Sequence, residues 1–124
     1  MKKRKKVLCV CAQGLNRSRY MAKYLKNKGY NTQYGGATIE APNPIYQKNI
    51  EWADVIVVVR KRLVPIMRER FNIKRKKLIV LDVSDSPLTL FLENRKLHFL
   101  DYIHFQEKWT YPQLRKAIEN YLPL

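Results

Sequence analysis

Apolar residues fall in short unbroken runs, and between the runs they recur at helical spacing. Val7 to Val10 follows a charged lead and predicts a buried first strand. Arg17 to Lys28 carries Tyr20, Met21, Tyr24 and Leu25 on one helical face, and Gly29 is a suitable stop. Tyr30 to Ala37 predicts a second, weaker strand. Asn43-Pro44 has the form of a helix start, with Asn43 as N-cap, Pro44 in the first helical position, and Ile45, Ile50 and Ala53 toward the core. Asp54 to Val59 is the clearest strand, β-branched and apolar throughout, as a strand covered on both faces should be. Leu63 to Phe71 predicts a third helix, with Pro65 tolerated in its first turn. Leu78 to Val83 predicts a fourth strand. Ser86-Pro87 opens a mixed stretch to about Trp109, helical in part. Thr110 to Gln113 matches a capping box, Thr-x-x-Gln, before a last helix ending near Leu122.

Strands alternating with helices imply an α/β fold: an open, four-stranded parallel sheet with helices on both faces. A length of 124 residues fits one domain over residues 1–124, with residues 1–6 as a basic lead. In such a sheet, ligands bind beyond the carboxyl ends of the strands, where the winding reverses. The loop after the first strand is therefore the first place to look.

Composition narrows the field. The 25 Lys and Arg against 10 Asp and Glu give a formal charge of +15, which favours anionic partners: phosphorylated protein, nucleic acid or an acidic surface. Cys9 and Cys11 are too few and too close for a disulfide framework or a four-ligand zinc site, and a reducing setting suits them. Cys9 reads as a buried small hydrophobe. No apolar stretch is long enough to span a bilayer, and Val7 to Ala12 is too short for a signal-peptide core, so the expectation is a cytoplasmic monomer with no membrane partner.

The loop after the first strand reads Cys11-Ala12-Gln13-Gly14-Leu15-Asn16-Arg17-Ser18. Backbone N–H groups of a tight loop entering a helix bind a tetrahedral anion, so Ala12, Gln13, Gly14, Leu15, Asn16 and Ser18 are the expected substrate-binding positions. Gly14 admits conformations closed to other residues. Arg17 offers a planar fork for two phosphate oxygens. The same positive surroundings favour Cys11 as a thiolate nucleophile. Ser18 can donate a hydrogen bond to that sulfur, and the Asn16 amide can pin the loop.

Cys-x5-Arg-Ser after a first strand resembles the motif of the low-molecular-weight protein tyrosine phosphatases. The similarity runs from Val7 to about Pro87, through Trp52-Ala53-Asp54-Val55-Ile56 and the approach Leu78 to Asp85. The Asn16-Arg17-Ser18 ending and Asp82-Val83-Ser84-Asp85 also resemble the serine phosphatase of the RNA polymerase II tail, a distant relative on the same fold. The resemblance implies strand order 2-1-3-4 and a protein-tyrosine-phosphatase-like hydrolase working through a cysteinyl phosphate. It implies catalytic roles for Cys11 and Arg17, and a general acid on the loop after the fourth strand. Asp85 is the choice for that acid, with Asp82, still in the strand, supporting the loop. Phosphorylated protein is the implied substrate, with no cofactor and no metal.

Some positions depart from the pattern. Asn16 stands where a second loop cysteine is usual, Gln13 replaces a glycine, and Arg19 follows Ser18. His98 and His104 read as core or surface residues rather than ligands. Tyr46, Trp109 and Tyr111 are candidate aromatic walls for phosphotyrosine. Lys2 to Lys6 and Lys74 to Lys77 precede strands and fall at the far end of the sheet, a face suited to nucleic acid or acidic protein. Arg60-Lys61-Arg62 follows the third strand and falls at the catalytic end. Rival readings are a phosphoserine or RNA-end phosphatase on the same fold, and a non-catalytic phosphate- or nucleic-acid-binding module.

Overall fold

β-Branched, apolar segments such as those ending at Cys11 and Val58, buried on both faces, can be satisfied only at the centre of a layered fold. A computed structural model describes residues 4–83 and 106–124. In it the strands are β1 (Lys6–Cys11), β2 (Asn31–Gly36), β3 (Val55–Val58) and β4 (Lys77–Val80). The helices between them are α1 (Arg17–Asn27), α2 (Gln47–Trp52) and α3 (Leu63–Arg70), and a π-helical turn (Gln106–Thr110) leads into α4 (Tyr111–Glu119). The strands form one parallel sheet in the order β2-β1-β3-β4, as the resemblance implies. β1 pairs with β2 from Lys6 opposite Asn31 to Cys11 opposite Gly36, and with β3 from Val7 opposite Val55 to Val10 opposite Val58.

Alternation along the strands divides the core into two layers. Val7, Cys9, Val55, Val57 and Ile79 face Met21 and Leu25 of α1 and Leu114 and Ile118 of α4. Leu8, Val10, Ile56 and Val58 face Ile50 of α2 and Leu63 and Met67 of α3. Each large aliphatic side chain removed from water contributes about 1.5–3 kcal/mol. The chain winds from β1 to β2 on one side and returns past β1 to β3 on the other. That reversal opens a crevice at the carboxyl end of β1, where Cys11 stands.

Three local expectations are corrected. Asn43-Pro44 does not start a helix. The Asn43 carbonyl accepts the Gly36 N–H at 2.8 Å and the Ile45 N–H donates to the Gly36 carbonyl at 3.0 Å, so these residues run extended beside the end of β2. The helix begins after Tyr46 instead, whose N–H donates to Asn49 Oδ1 at 2.8 Å. Ile45, Ile50 and Ala53 are buried as the pattern predicts. Thr110 is not an N-cap: it has helical angles, its side chain is buried, and the π-helical turn has already begun at Gln106. Asp82 does not lie in β4. It follows the strand with φ +56°, and its Oδ1 accepts the Lys61 N–H at 3.1 Å and lies 3.8 Å from Arg60 Nε, so the loop it braces is the one after β3, not the one after β4. Among the described residues no helix is long and apolar enough to cross a membrane.

Candidate active site

The site begins at the last residue of β1. Cys11 Sγ lies 3.1 Å from Ser18 Oγ and accepts the Gly14 N–H at 3.1 Å. Cys11 and Ser18 are both buried, so these contacts to the sulfur lie away from bulk water. Both contacts converge on one sulfur atom at the mouth of the loop.

The loop holds its shape because its carbonyls are engaged from outside. Cys11 O accepts the Ala37 N–H at 2.8 Å, and Ala12 O accepts both the Thr38 N–H at 3.3 Å and Thr38 Oγ1 at 3.1 Å. Gln13 O accepts the Asn43 N–H at 3.3 Å, and Gly14 O accepts Asn43 Nδ2 at 3.1 Å. A trans peptide sets its N–H opposite its carbonyl. Carbonyls turned toward the segment after β2 therefore turn the N–H groups of Ala12, Gln13, Gly14 and Leu15 the other way, and the Gly14 N–H on the sulfur shows that direction. An array of inward N–H groups at a helix start is an anion cradle.

Gly14 meets two constraints at once. Its φ is +78°, and a Cβ there would fall within 3 Å of backbone atoms of Gly36 and Asn43. Gly36 answers from β2: a Cβ on it would come within 3 Å of Ala12 O.

Beyond the sulfur is an open cavity of about 570 Å³, walled by the loop and by Arg17 and Arg62. Arg17 is 5% exposed, and its Nη1 donates to the Val83 carbonyl at 2.6 Å. Arg62, from the basic cluster after β3, adds an exposed cation at the rim. Asn16 pins the loop as expected, and its partners come from the far end of the chain. Its Nδ2 donates to Gln106 Oε1 at 2.7 Å, and Tyr111 OH donates to its Oδ1 at 2.6 Å. Tyr111 in turn stacks on Tyr20 of α1, with centroids 4.0 Å apart and planes 3° off parallel.

The structure brings Cys11, Ala12, Gln13, Gly14, Leu15, Asn16, Arg17 and Ser18 together at the sulfur and its cavity. Asp85 lies outside the described residues, as do His98 and His104. The aromatic candidates are corrected among the described residues: Tyr111 braces Asn16 instead of walling the cavity, Tyr46 is the exposed residue before α2, and Trp109 sits half-buried in the π-helical turn. Cys9 is buried, and that burial, with the nearby Cys11 adding to it, pushes its thiol well above the ordinary range. Among the described residues no group of His, Cys, Asp and Glu is arranged to hold a metal. Gly36, Asn43 and Gln106 were not anticipated. The Gly35-Gly36 pair ending a strand was the available signal, since glycine there marks a close backbone approach.

Neither protein-family models nor curated proteins give a match to this sequence. Solved structures do. Wzb of Vibrio vulnificus, solved in complex with benzylphosphonate, superposes with a TM-score of 0.72 at 13% identity, over 96% of this chain and 97% of that one. A low molecular weight phosphotyrosine phosphatase of Vibrio cholerae O395 gives 0.67 at 14% identity, over 96% and 97%. A mutant of YwlE from Bacillus subtilis gives 0.61 at 16% identity, over 94% and 95%. The fold of this chain is therefore that of low molecular weight phosphotyrosine phosphatases, as the loop motif suggested.

Proposed function

We propose that this chain is a cysteine-dependent phosphomonoesterase that hydrolyses phosphotyrosine in protein through a cysteinyl phosphate. The observation that carries the reading is the Cys11 sulfur with Ser18 Oγ and the Gly14 N–H both 3.1 Å away, at the floor of a cavity edged by Arg17. The fold shared with a low molecular weight phosphotyrosine phosphatase of Vibrio cholerae supports it.

In the first step the Cys11 thiolate attacks phosphorus in line with the ester oxygen. The S–P bond forms, the P–O bond breaks, and Asp85 gives its proton to the departing phenoxide. The loop N–H groups and the Arg17 guanidinium hold the three equatorial oxygens as charge develops on them. In the second step Asp85, now a carboxylate, takes a proton from water as the water oxygen attacks phosphorus. The S–P bond breaks, inorganic phosphate leaves, and Ser18 and the Gly14 N–H stabilise the returning thiolate. The bond from Arg17 to Val83 O ties the phosphate-holding residue to the segment after β4, two positions before Asp85.

Turnover of an aryl phosphate tests this directly. The wild-type chain should release phosphate, with vanadate competing, and Cys11→Ser should lose at least about a thousandfold in kcat. Asp85→Asn should slow poor leaving groups far more than good ones, and equal slowing removes Asp85 from the acid role. No turnover, together with steeply salt-dependent RNA binding, would make the chain a binding module instead.

A further inference from the structure

Beside the phosphate cavity lies a second, smaller hollow of about 270 Å³, lined by Leu15, Asn16, Arg19, Tyr20, Lys23 and Tyr111. Leu15 and Asn16 line both hollows, so the two are separated only by the thickness of the loop. Arg19 and Lys23 are exposed and one helical turn apart on α1, which sets their Cβ atoms about 5–6 Å from each other. Two cations at that spacing can close on a single anionic group.

Among the described residues no acidic side chain is paired with either of them. The first Asp or Glu in the sequence is Glu40. Among the described residues the ion pairs are Arg60 with Asp82 and Lys74 with Glu51, and neither involves α1. The back of the hollow is firm. Tyr20 and Tyr111 are stacked on each other, Arg115 Nη1 donates to Tyr20 OH at 2.5 Å, and Tyr111 OH is bonded to Asn16. The aromatic pair is thus fixed in place, while Arg19 and Lys23 lie exposed at its mouth. The exposed Leu15 stands between the hollows as an apolar ridge.

We infer that this hollow is a specificity subsite for an anionic side chain, carboxylate or phosphate, carried by the substrate peptide one or two residues from the phosphotyrosine. The inference rests on the phosphatase reading of the neighbouring loop and names its preferred substrates as acidic or multiply phosphorylated segments. Arg19 and Lys23 set the preference without touching the reacting atoms.

The test compares phosphotyrosyl peptides identical except for the flanking positions, which carry Ala, Glu or a non-hydrolysable phosphonate side chain. Wild type and an Arg19→Ala, Lys23→Ala double variant are assayed on all three, and on a small aryl phosphate. Wild type should favour the acidic flanks about five- to tenfold in kcat/KM, expressed in KM, as two exposed ion pairs allow. The double variant should lose that preference and keep its aryl phosphate kinetics, and Arg19→Lys, Lys23→Arg should restore it. Phosphonate ahead of Glu assigns the site to phosphate, and Glu equal to phosphonate assigns it to carboxylates generally. An unaltered preference in the double variant, or none in wild type, overturns the subsite. Failure of wild type to turn over even the aryl phosphate would strike the phosphatase reading itself, and so is distinguishable from loss of the subsite alone.

Discussion

Cys9 and Cys11 leave one strand on one face, and Cys11 borders the cavity while Cys9 is fully buried. Thiolates alkylate and thiols do not, and burial raises Cys9 so that it stays protonated as pH rises through the neutral range. One equivalent of iodoacetamide should therefore be taken up near neutral pH, at Cys11, and inorganic phosphate should slow it. Peptide mapping that finds label on Cys9 in the folded chain would contradict the site as described. Gly14 gives the second prediction at this scale. Alanine there must take φ +78° and place its Cβ against the backbone of Gly36 and Asn43. The left-handed cost alone is about 1–2 kcal/mol, and the clash adds to it, so Gly14→Ala should lose about 2–4 kcal/mol in chemical unfolding. The loop residues were legible because Cys11 to Ser18 is one contiguous segment with distinctive residue types. Gly36 and Asn43 were harder to read, because they meet the loop from a segment distant in sequence, and the Gly35-Gly36 pair marks a close approach without saying to what.

At the scale of elements, the loop is clamped between two others. The segment after β2 holds its carbonyls, and the π-helical turn with α4 holds Asn16. Sequence reading found α4 and its first residue but misread the cap. Thr-x-x-Gln is a capping signal only if the chain enters from an extended conformation, and here it enters already wound from Gln106, with Thr110 turned inward. The same tertiary pull moved the start of α2, where pairing with Gly36 outweighed the local preference of Asn43-Pro44. The clamp predicts that a residue far from the sulfur tunes the reaction. Tyr111→Phe keeps the stack on Tyr20 but removes the hydrogen bond to Asn16 Oδ1. A loss of about 1 kcal/mol in loop positioning should lower kcat/KM for an aryl phosphate about fivefold, with the helix content by circular dichroism unchanged. Unchanged kinetics would mean that the loop needs no support from α4.

For the molecule as a whole, strand direction sorts the charge. Lys6 opens β1 and Lys77 opens β4 at the amino ends of the sheet, whereas Arg60, Lys61 and Arg62 follow β3 at the end where Cys11 stands. This sorting was legible from the order of runs and strands alone, because a parallel sheet puts every strand start on one edge. A dianionic substrate approaching the cavity meets Arg17 within and Arg62 at the rim, under the field of a chain carrying +15 overall. Such a field concentrates the substrate at the site without altering the bonds being made or broken. The Debye length falls from about 10 Å at 0.1 M salt to about 3 Å at 1 M, so added chloride should screen the rim before it reaches the buried loop. KM for an aryl phosphate should therefore rise severalfold across that range while kcat holds nearly level. Arg62→Ala should raise KM at low salt and flatten the salt dependence, because the cation it removes is the exposed one. A fall in kcat with KM unchanged would place the effect of salt on the loop and its thiolate instead, and would mean that the basic rim takes no part in capture.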